Sequence, residues 1–257
     1  MYRLFKRIYR KCIKQKCSYD MRKFEKSQSG RCFIIGNGPS LRIEDLEALN
    51  DEVTFASNRI YGVFSKTNWR PTYYVSQDQN VLNEIKDELY RISFECKQMI
   101  LNGNIYRSYS RDLRKKENVS FLNVYNTIKG KTEFDIDVID GIHYGINVTY
   151  TMIELALFMG FSEIYLIGVD NNYALKTNAN GDTVVDNESP DSYFEGIAPL
   201  KHETIINDAS GVPFDNTTLA YNNIKKYIDD KPQKIYNATR GGKLEVFERV
   251  DFDLIMK

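Results

Sequence analysis

The sequence has little of what metal-binding, disulfide-rich or membrane-spanning proteins contain. The 257 residues include four cysteines: Cys12, Cys17, Cys32 and Cys96. Their spacing fits neither a metal motif nor a disulfide framework. No apolar run approaches the roughly 18 residues needed to cross a bilayer, and the first residues lack the apolar core of a signal peptide. We therefore expect a cytoplasmic protein without a cysteine-based metal site.

Net charge is also absent, because 35 basic side chains balance 35 acidic ones. Residues 1–26 nevertheless carry ten lysines and arginines against two acidic residues, a net +8, which leaves −8 for the remainder. Apolar residues recur between these cations at helical spacing, as in a helix that lies on anionic lipid. Nucleic acid and a solvated arm are the alternatives, and the acidic body disfavours nucleic acid. We predict a basic amphipathic segment, residues 1–26, that holds the protein at the inner face of the membrane.

Beyond this segment, short apolar strands alternate with helices. The predicted elements include a helix over 81–91, a buried helix in INVTYTMIELALFMGF, residues 146–161, that ends at Gly160, and a last strand at KIYNAT, residues 234–239. Such alternation predicts an α/β fold with a mostly parallel sheet and helices on both faces. We expect residues 27–257 to form one Rossmann-like nucleotide-binding domain. Residues from about 171 to 212 are polar and contain Pro190 and Pro199, so we predict a small lid there and no sheet.

The stretch RCFIIGNGPSL, residues 31–41, places a buried strand, a glycine turn and a helix start within eleven residues. Gly36 and Gly38 predict either a positive φ or a close approach to a ligand, and Ser40 is predicted to cap the next helix. A helix start after a strand is a common phosphate site. The third glycine of the dinucleotide fingerprint and a GK[ST] sequence are both missing, so a plain loop stays an alternative.

Ligands of open parallel sheets bind beyond the carboxyl ends of the strands. The predicted strand ends carry Asn37, Asn58, Arg59, Gln77, Asp78, Asp170 and Asn237. Amide side chains recognise neutral hydrogen-bonding edges such as those of a base, a ribose or a sugar. The set therefore predicts a nucleotide site.

These motifs carry a resemblance to a known family. FIIGNGPSL, FASN and GINVTYTMIELALFMGFSEIYLIGVDNNY, with a later KHE, resemble the bacterial glycosyltransferase family 42 sialyltransferases over about residues 31–240. IYNATRGGKLEVFERVDF is similar to the 6-hydroxymethylpterin diphosphokinase MptE-like family. The first resemblance implies a GT-A-variant-like fold, a CMP-nonulosonate donor, a glycan acceptor and a role in surface polysaccharide or glycoconjugate synthesis. It implies no cofactor and no metal, because a monophosphate leaving group carries less charge than a diphosphate.

The family 42 pattern also implies roles for individual residues. His202 matches the general base, and Tyr173 resembles a tyrosine that binds the leaving phosphate. The pattern places Asn37, Gly38 and Ser40 on the nucleotide phosphate and ribose, Asn58 near the cytosine and donor sugar, and Gly145 at the family's Ser-Gly pair. With the residues at the predicted strand ends and in the turns, the full set assigned to the nucleotide is Gly36, Asn37, Gly38, Ser40, Asn58, Gln77, Asp78, Gly145, Asn147 and Asp170. Two positions depart from the pattern: Tyr144 replaces a serine before Gly145, and Asn171 stands where an aromatic residue is expected.

Other interpretations stay open. Diphosphate transfer from ATP to a pterin alcohol would need Mg²⁺, held by Asp78 and Asp170. A non-catalytic nucleotide-binding module of a polysaccharide assembly complex is the third function. TRGGK at residues 239–243 predicts either a second phosphate turn or a plain β-turn, and His143 is predicted in a turn without a functional role. We expect no nucleic-acid partner, and homo-oligomers stay possible.

Overall fold

A computed structural model of the chain describes residues 2–125, 134, 136–143, 147–189, 192–199, 201–203 and 215–257. The strands are β1 (Arg31–Ile35), β2 (Thr54–Ser57), β3 (Tyr73–Ser76), β4 (Gln98–Asn102), β5 (Val119–Leu122), β6 (Val124–Tyr125), β7 (Ile142–His143), β8 (Glu163–Ile167), β9 (Leu175–Thr177), β10 (Thr183–Val185), β11 (Lys234–Asn237) and β12 (Glu248–Arg249). The α-helices are α1 (Tyr2–Arg22), α2 (Ile43–Ala48), α3 (Gln79–Ile85), α4 (Leu89–Ile92), α5 (Arg111–Lys115), α6 (Val148–Met159), α7 (Asp215–Ile228) and α8 (Phe252–Ile255), and two 3₁₀-helices cover Asn58–Val63 and Gly103–Ser108.

Eight strands form one sheet in the order β12-β11-β8-β1-β2-β3-β4-β5. Every described pair in this sheet is parallel. The chain runs outward from β1 to β5, returns to the other side of β1 with β8, and continues outward to β12. The predicted Rossmann-like α/β fold with a mostly parallel sheet is confirmed.

Apolar side chains cover both faces of the sheet. In β1, Cys32 and Ile34 point into one buried cluster, which α6 and α7 complete. The alternate residues Phe33 and Ile35 belong to a second cluster with α2 to α5. A strand buried on both faces needs a continuous apolar run, because successive side chains point to opposite faces. The run at residues 32–35 meets this requirement.

The helix α1 covers the β5 edge of the sheet. The Asp20 carboxylate accepts a hydrogen bond from the Phe121 backbone N–H of β5 at 3.0 Å. Cys17 and Met21 of the same helix are fully buried. A covered edge strand cannot pair with another chain, so the second half of α1 protects the sheet. The domain division at residue 26 stays a prediction, but α1 is packed against the body over this half.

Some local expectations were wrong. Residues 81–91 are split between α3 and α4, and His143 lies in β7, paired with Tyr125, instead of in a turn. The lid contains an antiparallel hairpin of β9 and β10, although we expected no sheet. Asn178 closes its turn by accepting hydrogen bonds from two backbone N–H groups. Polar composition hid this hairpin, because all three residues of β9 are exposed and only Val184 and Val185 of β10 are buried. No described helix is long and apolar enough to span a membrane.

Candidate nucleotide site

The site lies where β1 and β8, which are neighbours in the sheet, end side by side. The backbone N–H groups of Gly36 and Gly38 donate to the carbonyls of Ile167 and Gly168 at 2.8 and 2.9 Å. A Cβ on Gly36 would lie 2.1 Å from the Gly168 oxygen, and one on Gly38 would lie 1.9 Å from Asp170 Oδ2. Both positions therefore require glycine, because the two turns are in contact and leave no space for a Cβ. We call these turns, residues 36–40 and 168–171, the floor of the site.

One of the two alternatives for the floor glycines, a positive φ, was wrong, as was the expected helix cap by Ser40; a close approach of the glycines to a ligand stays a prediction. The left-handed glycine of the floor is Gly168, with φ +62°, and neither Gly36 nor Gly38 has a positive φ. Ser40 does not cap α2, whose N-cap is Arg42. The Ser40 hydroxyl instead donates to Asp170 Oδ2 at 2.8 Å. A nearly buried carboxylate needs hydrogen-bond donors, and this need decides where the serine points.

Asp170 is a buried acid at the end of β8. Burial raises its pKa, although hydrogen bonds from the Ser40 hydroxyl and backbone N–H oppose the shift. Its backbone oxygen accepts from the Lys243 N–H at 2.7 Å, which brings a third turn against the floor. Burial and the Asp170 charge both raise the pKa of Tyr173, so this phenol stays protonated at neutral pH and is a hydrogen-bond donor.

Asn37 and Asn58 lie at neighbouring strand ends. The Asn37 amide nitrogen donates to the Ser57 carbonyl at 3.2 Å, and Asn58 Oδ1 accepts from the Ser76 hydroxyl at 2.9 Å. Asn58 has a left-handed backbone, with φ +53°. Asn37 Oδ1 is buried and has no hydrogen-bond partner in the described part of the chain. A buried acceptor without a partner is costly, so this oxygen is available to a ligand donor.

The other predicted nucleotide residues bind protein groups. Gln77 accepts a hydrogen bond from the Thr151 hydroxyl of α6. Asp78 caps the N-terminus of α3, and Asn147 caps that of α6. These contacts explain the residue types without a ligand, and a nucleotide role for them stays a prediction. Gly145 lies outside the described residues.

The end of the lid lies across the strand ends. We call residues 192–199 and 201–203 the distal lid. The Phe194 N–H donates to the Asn37 carbonyl at 2.8 Å. The Arg59 guanidinium, at the end of β2, donates to the Pro199 carbonyl at 2.7 Å. A Cβ on Gly62 would lie 2.5 Å from the Gly196 oxygen, so the distal lid packs closely on the first 3₁₀-helix.

His202 is fixed to the body by Glu84 of α3, a residue that the sequence analysis missed. Glu84 Oε1 accepts the His202 backbone N–H at 2.9 Å and lies 2.7 Å from the ring nitrogen Nδ1. Oε2 accepts the Lys201 N–H at 3.1 Å and pairs with Arg59. Burial alone would raise the pKa of Glu84, but the hydrogen bonds from His202 and Lys201 and the charge of Arg59 lower it. A glutamate on a short helix gives no sequence signal of this role.

Two further tyrosines surround Tyr173. Burial, with the nearby Tyr173, raises the pKa of Tyr193 to about 12, and the same two causes raise that of Tyr221. Tyr193 OH donates to Asn187 in the lid at 2.9 Å, and Tyr221 OH donates to Asn147 at 3.3 Å. No sequence signal singles out these two tyrosines, because the chain contains 18 of them.

The TRGGK turn is held by protein groups. Arg240 pairs with Asp45 at 2.9 Å and with Asp253 at 2.5 Å. Arg249 donates to the Gly241 carbonyl inside the turn at 2.7 Å. Two carboxylates already neutralise Arg240, which favours the plain β-turn over a second phosphate site. In the described part of the chain, no group of three or more histidine, cysteine or acidic residues could hold a metal ion.

A parallel sheet with a glycine turn and buried polar groups at its switch point defines a Rossmann-like α/β protein. The family model described as 6-hydroxymethylpterin diphosphokinase MptE-like matches residues 7–175. The chain belongs to this MptE-like family, which confirms the suspected relation, although the stretch IYNATRGGKLEVFERVDF lies beyond the matched residues. A comparison with curated proteins found no match.

Solved structures with a similar fold are glycosyltransferases. The MAf glycosyltransferase from Magnetospirillum magneticum AMB-1 superposes with a TM-score of 0.55 at 18% identity, over 93% of this chain. This chain spans 38% of the length of that protein. The sialyltransferase CstII from Campylobacter jejuni, in complex with CMP, gives a TM-score of 0.46 at 15% identity over 86% of this chain and 84% of its own. At 18% identity the likeness to the MAf glycosyltransferase shows the fold alone.

Proposed function

We propose that the protein is a glycosyltransferase that uses a nucleotide-activated sugar, with a CMP-nonulosonate donor, in surface polysaccharide or glycoconjugate synthesis. The observation that carries the proposal is the His202–Glu84 pair, which sets a histidine across the carboxyl edge of the sheet. Transfer of a diphosphate would instead need carboxylates for Mg²⁺. The two candidates, Asp78 and Asp170, already cap α3 and bind Ser40.

The reaction is a displacement at the anomeric carbon of the donor. His202 takes the proton of the acceptor hydroxyl, whose oxygen bonds to the anomeric carbon while the bond to the phosphate breaks. The protonated Tyr173 donates a hydrogen bond to the departing phosphate. Asn37 Oδ1 accepts a hydrogen bond from the nucleotide or the sugar, and the rigid floor orients the donor.

A thermal-shift panel tests this function with CMP, CMP-N-acetylneuraminic acid, CDP, UDP, GDP and ATP, each with and without Mg²⁺. A ligand that binds only the folded protein raises its melting temperature. We expect the largest increase with CMP or the CMP-sugar, unchanged by EDTA. Stabilisation by ATP with a strict Mg²⁺ requirement would favour the diphosphokinase. Binding without turnover of any donor would favour the non-catalytic module.

We further propose that α1 attaches the protein to anionic membrane, through exposed residues of its N-terminal half. Arg10 and Lys11 are exposed, as is the apolar Ile8. Deletion of residues 1–26 would also remove the buried Cys17 and Met21. A loss of vesicle binding by the truncated protein could therefore result from unfolding.

Charge substitutions test the attachment without this problem. Arg10→Gln/Lys11→Gln should weaken binding to phosphatidylserine vesicles, and added salt should weaken binding of the unaltered protein. Lys225→Gln/Lys226→Gln on α7 removes the same charge elsewhere and serves as the control. Equal losses for both pairs, or binding that salt does not change, would contradict the proposal.

A further inference from the structure

The proposed base lies on the lid, whereas the carboxylate that holds it lies on the body. We propose that Glu84 is the positioning residue of His202: it fixes the proton on Nδ1, leaves Nε2 as the proton acceptor, and does so only when the distal lid lies on α3. The role in catalysis rests on the function proposed above. The choice of ring nitrogen does not.

The hydrogen-bond donors around Glu84 determine the tautomer. Both carboxylate oxygens face donors: the N–H groups of Lys201 and His202, the Arg59 guanidinium and Nδ1. An ionised carboxylate only accepts hydrogen bonds, and the lowered pKa of Glu84 keeps it ionised at neutral pH. Nδ1 must therefore carry the proton, and in a neutral imidazole Nε2 then has the lone pair.

The geometry leaves Nε2 open. The His202 side chain is 23% exposed, and no described residue forms a hydrogen bond with Nε2. Arg59 is 7% exposed and holds the other carboxylate oxygen of Glu84, so the carboxylate cannot rotate away from the ring. The Nδ1 side of the imidazole is thus fixed to the body, and the Nε2 side can meet an acceptor hydroxyl.

The lid and the base depend on the same contacts. Glu84 Oε1 binds both the backbone N–H and the ring of His202, and Arg59 binds both Glu84 and the Pro199 carbonyl. When the distal lid leaves α3, His202 loses these contacts together and its imidazole can exchange between tautomers. The base is therefore assembled only over a closed site, which limits loss of the donor to water.

His202 and Glu84 account for the proton that the reaction releases. The acceptor hydroxyl gives its proton to Nε2, its oxygen bonds to the anomeric carbon, and the electron pair of the broken bond leaves with CMP. The resulting imidazolium carries protons on both nitrogens, and the Glu84 carboxylate stabilises its charge. Glu84 itself stays ionised, and Nε2 releases the proton to water after the products leave.

Nitrogen NMR of the imidazole tests the tautomer without any enzyme assay. The chain has two histidines, so His143→Gln leaves the ring of His202 as the single signal. In this background we expect the Nδ1–H tautomer at neutral pH. Glu84→Gln should convert it to a mixture or to the Nε2–H form. Glu195→Gln, which removes a carboxylate of the distal lid that pairs with Lys66 of the body, is the matched control and should change nothing. An Nε2–H tautomer before mutation, or a tautomer that Glu84→Gln leaves unchanged, would overturn the proposal.

Kinetics test the consequence for the reaction. Glu84→Gln should lower kcat at least about tenfold while CMP affinity stays within a few-fold, because the base and not the nucleotide loses its partner. Adding Glu84→Gln to His202→Asn should cost nothing further, since the two residues act as a unit. Glu84→Asp, which keeps an acceptor-only group, should recover part of the activity. A Glu84→Gln protein with normal kcat would overturn the catalytic role.

The tautomer and the kinetics together distinguish failure of the proposed function from failure of the positioning role. If no donor is turned over but the tautomer depends on Glu84, the proposed function fails and the positioning role stands. If transfer occurs and Glu84→Gln leaves the His202 tautomer unchanged, the proposed function stands and the positioning role is overturned. CMP-induced thermal shifts check that each variant is folded.

Discussion

The floor of the site and the distal lid above it are held by different kinds of interaction. In the floor, Gly36 and Gly38 donate backbone hydrogen bonds to the end of β8, with no space for a side chain. The distal lid is attached by hydrogen bonds to two charged groups of the body, Glu84 and Arg59, by the exposed pair of Lys66 and Glu195, and by the buried side chains of Phe194 and Ile197. The floor therefore fixes a backbone geometry, whereas the position of His202 in the lid depends on side-chain contacts with the body.

The largest effect should come from a methyl group in the floor. Gly36→Ala places a Cβ against the Gly168 backbone, and we expect a loss of about 3 kcal/mol in the free energy of unfolding, with loss of CMP binding. Gly181→Ala in the lid meets open space at φ +87° and should cost only about 1 kcal/mol of strain. Urea unfolding measures both. Equal losses would show that backbone conformation, and not the contact of the turns, explains the floor glycine.

A substitution of His202 in the distal lid should lower turnover and leave the free energy of unfolding nearly unchanged. His202→Asn can keep a donor toward Glu84 but has no Nε2, so we expect turnover to fall by about a hundredfold or more while CMP affinity changes only a few-fold. Tyr173→Phe should also lower turnover, and His143→Ala should change it little. CMP release from CMP-N-acetylneuraminic acid and calorimetry with CMP give the two quantities. A His202→Asn protein with normal turnover would exclude this histidine as the base.

For the amide of Asn37 in the floor we expect the opposite result: CMP binding should change more than turnover. Asn37→Ala removes the buried acceptor Oδ1 and should weaken CMP binding about tenfold with a smaller change in kcat. Asn104→Ala removes an amide that binds the Val124 carbonyl away from the site and is the control. Isothermal titration with CMP checks the result. If CMP affinity is unchanged, the unpaired oxygen of Asn37 is not part of the nucleotide site.

The smallest effect should appear in the pH dependence of stability, with opposite signs for Asp170 of the floor and Glu84, the partner of the distal lid. Glu84 has a lowered pKa when folded, so its stabilisation is present above the unfolded value near 4.5 and is lost as the pH falls through the folded value. Asp170 has a raised pKa, so the folded state binds its proton more tightly and loses stability as the pH rises above 3.8.

Urea unfolding between pH 3 and 6 measures this contrast. The stability difference between the unaltered protein and Glu84→Gln should grow with rising pH. The difference from Asp170→Asn should shrink over the same range. Two slopes of the same sign would contradict the opposite pKa shifts of Glu84 and Asp170.

The sequence by itself determined the layered α/β fold and the position of the glycine turn. Alternating apolar strands and helices are local patterns, and a strand such as residues 32–35 can be buried on both faces only in a covered parallel sheet. Because carboxyl ends of parallel strands meet at one edge, the same pattern placed Asn37, Asn58 and Asp170 together. Helix caps such as Asp78 look identical in sequence to ligand residues, so their present contacts could not be predicted.

Only the tertiary structure decided which distant groups meet. Glu84 and His202 are 118 residues apart, Ser40 and Asp170 are 130 apart, and Asp20 reaches β5 across 101 residues. Local periodicity fixes which face of a strand or helix is apolar, but it does not fix which polar groups on different elements come within 3 Å. That choice depends on the order of the strands and on where the lid crosses them, and the need of buried charges for partners then selects the pairs.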